Sequence, residues 1–467
     1  MKLSFHGAAK TVTGSKHLLT LDNGKNILLD CGMFQGMGHE THDLNMHFGF
    51  KPKEITFMVL SHAHIDHSGL IPKLIKDGFT GKIYCTEATK ELSEILLHDS
   101  AEIQTYETEH INQKRIAHNL SPYEPLYDHN DVLETMKHFA TLNYDEWLVI
   151  DDCIKIMFTN TGHLIGSAAV NLVIKEHKKE IKLHFSGDVG RYRSVLLRPP
   201  GTFTSADYII MESTYGDKQH NITNDNIETI LKWVTDICID KGGKLIIPAF
   251  SVGRTQEVLY ALNQLELEKR LPDILYFVDS PLGTRATSVI KKFTNEFNEK
   301  LQKVLEIDND PFDFKGLRYI ENVEDSKRLV EYDKPCVIIS SSGTGDAGRV
   351  RHHIASVVDN KDNGVLLVGF CGVHSLGGQL LEGLKEIEIL GKMHHVNANI
   401  GKIGGMIAHG DSDDLCQFLE CQDPSKVKNL FLVHGEPKTQ QEFSMRLERK
   451  GYSKITIPGP HETFELA

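Results

Sequence analysis

Ser61-His62-Ala63-His64-Ile65-Asp66-His67-Ser68-Gly69 decides how the rest of this 467-residue chain is read. Three imidazoles and one carboxylate fall within six residues. A divalent ion takes about four ligands in a fixed geometry, and imidazole and carboxylate suit zinc. The preceding Thr56-Phe57-Met58-Val59-Leu60 predicts a buried strand, and the following Leu70-Ile71-Pro72-Lys73-Leu74-Ile75 predicts a helix. His62 and His64, two apart on an extended turn, can aim at one ion. Asp66 and His67, opening the helix, can aim at a second. Such a strand-to-helix loop is a common place for chemistry. The plain alternative is a His-rich loop that binds nothing, in a chain with 25 His. The motif is a hypothesis that its context must support.

Three later segments supply that context. Thr161-Gly162-His163 follows the apolar run Ile154-Lys155-Ile156-Met157-Phe158. Ser186-Gly187-Asp188 follows Ile181-Lys182-Leu183-His184-Phe185, and Val433-His434-Gly435 follows Leu430-Phe431-Leu432. Each pairs a strand with a tight turn and a ligand-type residue at the strand terminus. Alone, each reads as a solvated turn or a packed His. With the first loop they make a coordination set of His62, His64, Asp66, His67, His163, Asp188 and His434.

This set resembles the binuclear zinc site of the metallo-β-lactamase superfamily. The resemblance implies one zinc on His62, His64 and His163, a second on Asp66, His67 and His434, and Asp188 bridging both with a water or hydroxide. Asp30, in Leu28-Leu29-Asp30-Cys31-Gly32, matches the family's early aspartate, which supports the ligands from behind; a strand-end turn residue is the competing reading. The di-iron flavoprotein class carries Glu at the second His of the motif. His64 stands there in this chain, which favours hydrolysis over redox chemistry. The superfamily hosts many chemistries, so the fold alone does not give the reaction.

The remaining sequence narrows the choice. The length exceeds what one domain usually needs, which favours two. Hydrophobic content of 40% and charged content of 25% are ordinary for a globular protein. No apolar run approaches a membrane span, and Met1-Lys2-Leu3-Ser4-Phe5-His6-Gly7 reads as a strand rather than a signal peptide. Cys31, Cys85, Cys153, Cys238, Cys336, Cys371, Cys416 and Cys421 form no CxxC pair, as expected of reduced thiols in a cytoplasmic protein.

Six of the seven ligand candidates precede residue 190, and the last is His434, so a second domain is expected between them. The region 215–396 alternates strand-like runs (Lys244-Leu245-Ile246-Ile247-Pro248, Leu275-Tyr276-Phe277-Val278, Cys336-Val337-Ile338-Ile339-Ser340, Val365-Leu366-Leu367-Val368-Gly369) with helical stretches over 255–264 and 286–301. That is the pattern of a βαβ domain with a parallel sheet. The expected fold is α/β: an αββα metallo-β-lactamase sandwich from 1–214 and 397–467, with an inserted α/β domain at 215–396.

Such an insert resembles the β-CASP branch, whose members process nucleic acids. Glu212, in Met211-Glu212-Ser213-Thr214-Tyr215-Gly216-Asp217, matches the branch's motif A acid. His409, in Met406-Ile407-Ala408-His409-Gly410, matches the motif B histidine. His434 matches motif C, where RNA-acting members carry His. On residue type alone, Glu212 reads as a capping acid and His409 as a helix-start polar residue. The similarity runs closest to bacterial and archaeal relatives of the mRNA 3′-end cleavage endonuclease. The 5′-exonuclease relatives usually carry Ser-Gln-Gly-Glu-Pro where this chain reads Gly369-Phe370-Cys371-Gly372-Val373-His374-Ser375-Leu376-Gly377-Gly378. Ser342-Gly343-Thr344-Gly345-Asp346-Ala347-Gly348-Arg349 also departs from the family's Gly-rich loop, by adding a carboxylate that would repel phosphate if it faced the groove. The bulkier Met406-Ile407-Ala408 before His409 departs from the usual motif B, where it could displace the histidine.

The resemblance implies a zinc-dependent ribonuclease acting on single-stranded RNA, with an endonuclease preferred over an exonuclease. Water activated between two zinc ions would attack the phosphate, with Asp66 as a proton acceptor. His409, held by Glu212, would be the general acid toward the leaving 3′-oxygen, giving 5′-phosphate and 3′-hydroxyl ends. Manganese is an alternative metal for such N/O ligands. The net charge of −13 does not suggest strong nonspecific RNA binding. Candidate substrate contacts are Arg254, Arg285, Arg349 and the Ser341-Ser342-Gly343 loop, with Lys16 and Arg351 as further basic residues of a cleft. The acidic segment 87–119 is expected to be a solvated face. No membrane partner is expected, and self-association is an open option. The competing functions are a small-molecule binuclear-zinc hydrolase, lactonase- or thioesterase-like, and a non-catalytic RNA-processing subunit.

Overall fold

A computed structural model of the chain describes residues 1–220, 226–369 and 371–466. Phe370, within the stretch 369–378 compared above, lies outside the described residues. The chain forms two compact units, Met1–Gln219 with His409–Ala467, and His220–Ala408.

The first unit is built on two seven-stranded sheets. In the first, Lys2–Gly7, Lys16–Thr20 and Asn26–Leu29 form an antiparallel meander, and Phe57–Val59, Ile83–Cys85 and Phe139–Thr141 extend it in parallel. In the second, Ile154–Asn160, Ala168–Glu176 and Lys179–Phe185 pair antiparallel. Tyr208–Glu212 and Asn429–Val433 then add in parallel. The C-terminal segment thus returns to complete this sheet, and Thr463–Glu465 pairs with Lys2–Gly7 at the edge of the other.

Residue alternation along the strands dictates four layers, because successive side chains point to opposite faces. Ile27, Leu29, Phe57 and Val59 of one sheet meet Tyr208, Ile210, Phe431 and Val433 of the other in a shared core. The intervening residues face outward under helices. Leu28 and Met58 pack with Leu70, Ile71 and Leu74, and Ile209, Met211, Leu430 and Leu432 pack with Leu415, Phe418, Phe443 and Leu447. Strands buried on both faces read as continuous apolar runs, which is why they were visible in the sequence.

The inserted unit carries a six-stranded, all-parallel sheet in the order Leu317–Tyr319, Leu275–Asp279, Cys336–Ser340, Lys244–Pro248, Gly364–Leu367, Asn399–Lys402. It runs past the expected boundary at 396 because Asn399–Lys402 is its edge strand. The helix expected over 286–301 is two helices, Pro281–Ile290 and Glu299–Leu305. Local capping explains the split. Ser280 accepts from Gly283 N at 3.0 Å to start the first, and Asn298 accepts from Leu301 N at 2.9 Å to start the second. The helix Glu87–Ala117 is solvated only in its second half, since Leu92, Leu96, Leu97 and Ala101 are buried. Among the described residues no helix is long and apolar enough to cross a membrane.

Phe431 is fully buried between the sheets, its ring 5.2 Å from those of Phe5 and Phe464. Phe431→Ala is expected to cost about 3–5 kcal/mol of stability, read as a lower urea midpoint, because the rigid sheets around it cannot collapse into the cavity.

Candidate metal centre

Four of the ligand-type residues singled out from the sequence follow strands of the first unit, while His64 caps the short helix Ile65–Ser68 and Asp66 and His67 lie on it. His62 follows Phe57–Val59, His163 follows Ile154–Asn160, Asp188 follows Lys179–Phe185, and His434 follows Asn429–Val433. The turns that carry them need unusual backbone. Gly187 has φ +55°, and a side chain there would meet Ser61 Cβ at 2.7 Å. Asp30 and His434 are non-glycine residues at φ +59° and +51°. Each costs about 1–3 kcal/mol and persists only because its surroundings fix it.

The ligand atoms converge in two groups. His62 Nε2 and His163 Nε2 stand 3.1 and 3.2 Å from His64 Nδ1, and each is 3.5 Å from Asp188 Oδ2. In the second group His434 Nε2 is 3.3 Å from both His67 Nε2 and Asp66 Oδ2. His67 Nε2 is also 3.3 Å from Asp188 Oδ1, so the two oxygens of one carboxylate face different groups. Ligands around a tetrahedral zinc, at bonds of about 2.0–2.2 Å, stand about 3.3–3.6 Å apart. The observed separations, 3.1–3.5 Å in the first group and 3.3–3.9 Å in the second, lie near those values. Asp188 Oδ1 is buried and accepts no hydrogen bond, as suits an oxygen reserved for a cation. Glu212 also lies near Asp188 and His434. Its oxygens are already engaged by Val189 N at 2.7 Å, Thr214 N at 3.1 Å and His409 Nδ1 at 3.1 Å.

Neighbouring groups set the rings. Asp30 is fully buried and accepts from Ser61 N at 2.8 Å, Ser61 Oγ at 2.9 Å and His67 Nδ1 at 2.6 Å. That last bond leaves His67 Nε2 facing the ligand group. Ser61 Oγ, having donated to Asp30, accepts from His62 Nδ1 at 3.1 Å, which leaves His62 Nε2 as the inward nitrogen. Backbone bonds clamp the ligand turn from outside, Ser15 N to the Asp66 carbonyl and Cys31 N to the His67 carbonyl, both at 2.8 Å. Ser61, Ser15 and Thr214 carry no chemical signature of their own in the sequence. Their adjacency to strand-end ligands was the only available signal.

Charge follows from this packing. Burial, reinforced by neighbouring imidazoles, holds His62 and His163 well below the ordinary imidazole range, and burial brings His64 to about 4. These rings keep free lone pairs at neutral pH, as ligands must. Burial opposes ionisation of Asp188, but His434, His67 and His409 outweigh it and hold its carboxyl well below the usual range. Burial likewise disfavours a charged His409, but Glu212 and Asp188 outweigh it and raise the ring to about 9. His409 is 21% exposed, with Nε2 3.8 Å from Asp188 Oδ2. The neighbours Met406-Ile407-Ala408 do not displace it. Gly190 bridges to His409, and Gly410 N donates to the Val189 carbonyl at 2.7 Å.

Known proteins match along most of the chain. The profile of the metallo-beta-lactamase superfamily covers residues 17–217, the Beta-Casp domain 255–380, and the Zn-dependent metallo-hydrolase RNA specificity domain 393–458. Ribonuclease TTHA0252 of Thermus thermophilus is 34% identical over 436 residues, spanning 93% of both chains. The chain belongs to the β-CASP branch of the metallo-β-lactamase superfamily. An RNase J-like protein of Methanocaldococcus jannaschii is 30% identical across 95% of both chains. Transcription termination factor FttA of Cenarchaeum symbiosum is 28% identical over 96% of this chain and 68% of its own. This branch membership makes the chain a metallo-hydrolase, in keeping with the ligand geometry.

The expected substrate contacts fall differently. Lys16 does not line a cleft. It is fully buried, donating to the Gly14 and Gly32 carbonyls at 2.9 and 2.8 Å, and burial brings its ammonium to about 8. Arg254 is buried in an ion pair with Glu257 within its own helix. Arg349 is committed to Asp279 Oδ1 at 2.7 Å and the Glu321 carbonyl at 2.7 Å. Asp279 also takes bonds from His353 and Ser326, so Arg349 braces the inserted unit. Asp346 accepts from Leu376 N at 2.7 Å, which gives the added carboxylate a structural use. Arg285 is exposed and Arg351 half-buried. Ser341 Oγ bonds Ser280 Oγ at 2.7 Å, Ser342 Oγ accepts from Ala347 N at 3.2 Å, and Gly343 packs under the Phe250 ring.

A Cβ on Gly32 would fall 1.6 Å from the Asp66 carbonyl oxygen. Gly32→Ala is therefore expected to push the turn carrying Asp66 and His67 outward and abolish metal uptake by a group that includes them, measured as metal content after gel filtration.

Proposed function

We propose that this chain is a zinc-dependent ribonuclease that hydrolyses phosphodiester bonds within single-stranded RNA. The observation that carries the reading is the His409–Glu212 pair at the rim of the two ligand groups joined by Asp188. The names of the ribonuclease and RNase J-like relatives and the RNA specificity domain support RNA as the substrate. The competing lactonase- or thioesterase-like reading gives this pair no task.

His62, His64, His163 and Asp188 would hold one zinc, and Asp66, His67, His434 and Asp188 a second. Bound there, the two ions supply an activated water at neutral pH and charge to hold a phosphate oxygen. The chain's own groups do the rest. His409 carries a proton at neutral pH and presents it on its exposed side to the leaving 3′-oxygen, while Glu212 fixes the ring through Nδ1. Asp66, with its carboxylate 22% exposed, takes the proton from the attacking water. The products are a 5′-phosphate and a 3′-hydroxyl. Arg285 and the hydroxyls of Ser341 and Ser342 remain the basic and polar candidates for RNA contact in the inserted unit. None of the eight cysteines is disulfide-bonded, which supports a reducing, cytoplasmic setting.

The test is incubation of the zinc-loaded protein with 5′-labelled single-stranded RNA and, separately, with an ester substrate. Internal fragments are expected from the wild type and none after chelation. His64→Ala should lose zinc, and His409→Ala should keep zinc but lose about 10²–10⁴-fold in kcat. Release of terminal nucleotides alone would make the enzyme an exonuclease. Intact RNA with cleaved ester would overturn the ribonuclease reading.

The pH profile tests the acid. His409 works in its protonated form, so kcat should fall on the alkaline side, at a pH below the value of about 9 set in the metal-free site, because bound zinc would neutralise Asp188 and repel the imidazolium. Glu212→Gln removes the first of the charges that raise this ring, and should move the alkaline limb to lower pH. An unmoved limb would remove His409 from the acid role.

A further inference from the structure

We propose that Thr214 is a positioning residue that fixes both the backbone and the ring tautomer of His434. The inference rests on the two-zinc reading above. Strands Tyr208–Glu212 and Asn429–Val433 pair in parallel with Glu212 opposite Val433, so Thr214 and His434 leave neighbouring strand ends together.

One hydroxyl serves two atoms of the same histidine. Thr214 Oγ1 lies 3.1 Å from the His434 carbonyl oxygen and 3.0 Å from its Nδ1. A hydroxyl has one hydrogen to give and lone pairs to accept with. The carbonyl can only accept, so it takes that hydrogen. The hydroxyl oxygen then accepts from Nδ1, which must carry the ring's N–H. In neutral imidazole the lone pair is thereby placed on Nε2, the nitrogen 3.3 Å from Asp66 Oδ2 and His67 Nε2.

The backbone half of the grip is as specific. His434 sits at φ +51°, a left-handed conformation uncommon for side-chain-bearing residues, though histidine adopts it more readily than most. Its N–H donates to the Ala8 carbonyl at 2.7 Å, and its carbonyl accepts from Ser213 N at 3.3 Å and from the Thr214 hydroxyl at 3.1 Å. Thr214 N in turn donates to Glu212 Oε2 at 3.1 Å, so the hydroxyl is anchored to the acid that also orients His409. His67 and His62 have Asp30 and Ser61 for the same task. Asp188 Oδ1 is 3.7 Å from His434 Nδ1, beyond hydrogen-bond reach, which leaves the task to Thr214.

The test titrates zinc into metal-free wild type, Thr214→Val, Thr214→Ser and Thr214→Ala against a chromophoric chelator. The absorption spectrum of each cobalt-substituted form and the melting of each metal-free form are recorded alongside. Valine keeps the shape and removes the hydroxyl, while serine keeps the hydroxyl. Thr214→Val is expected to bind its second zinc about 10–100-fold more weakly, with an altered cobalt spectrum, and its metal-free form is expected to melt slightly lower because the His434 carbonyl loses the hydroxyl bond. Thr214→Ser should match the wild type. Thr214→Ala is read in the same way as valine, so a valine variant that fails to fold leaves the comparison decided. A valine or alanine variant that holds the second zinc as tightly as the wild type overturns the proposal. So does a serine variant as weak as alanine. A wild type that takes up one zinc overturns the two-ion reading instead. The role of Thr214 is then judged on that ion, and falls if the hydroxyl-free variants hold it equally well.

Discussion

The parallel ladder between Tyr208–Glu212 and Asn429–Val433 is the contact that closes the first unit and completes its second group of ligand-type residues. It joins segments more than 200 residues apart in sequence, and the inserted unit occupies most of the interval. Its register sets Glu212 beside Val433 and so delivers Glu212, Thr214 and His434 to one point in space. The apolar residues of the same strands, alternating to both faces, make that register hard to slip. A shift by one residue would turn Phe431 and Val433 out of the core between the sheets and turn Leu430 and Leu432 into it.

The site is organised by buried charge as much as by position. Asp30 and Asp188 are both almost fully buried carboxylates, and neither lies alone. Asp30 is saturated by donors from Ser61, Ser15 and His67, while Asp188 is surrounded by imidazoles and keeps one oxygen without a hydrogen bond. The first is therefore a fixed support and the second a group that gains most from a cation. This division explains how a chain with a net charge of −13 can offer a polyanion a place of attack, since the local field is set by what the carboxylates hold.

The candidate ligands stood out in the sequence because His62, His163, Asp188 and His434 follow apolar strands, and because four candidates are compressed into the run 62–67. The all-parallel insert was legible for the same reason, as near-continuous runs such as Cys336–Ser340 can be buried on both faces. The partners of those residues were not. Lys16 and Arg349 look like surface cations until the fold places carbonyls and a carboxylate around them. Ser61 and Thr214 look like turn residues until tertiary structure brings a histidine nitrogen within reach. The helix break after Ile290 depended on caps too local for apolar periodicity to register.

The two ligand groups differ in how they come into being. His62, His64, His163 and Asp188 all belong to the first part of the chain, whereas the other group is unfinished without His434. During synthesis the first can gather while the inserted unit is still being made. The second must wait until that unit has been completed and the strand behind His434 has zipped onto the sheet. Any local fraying of that strand in the mature protein would likewise open one group and spare the other. The pair is thus a local pocket joined to a latch, and the latch reports whether the chain has closed on itself.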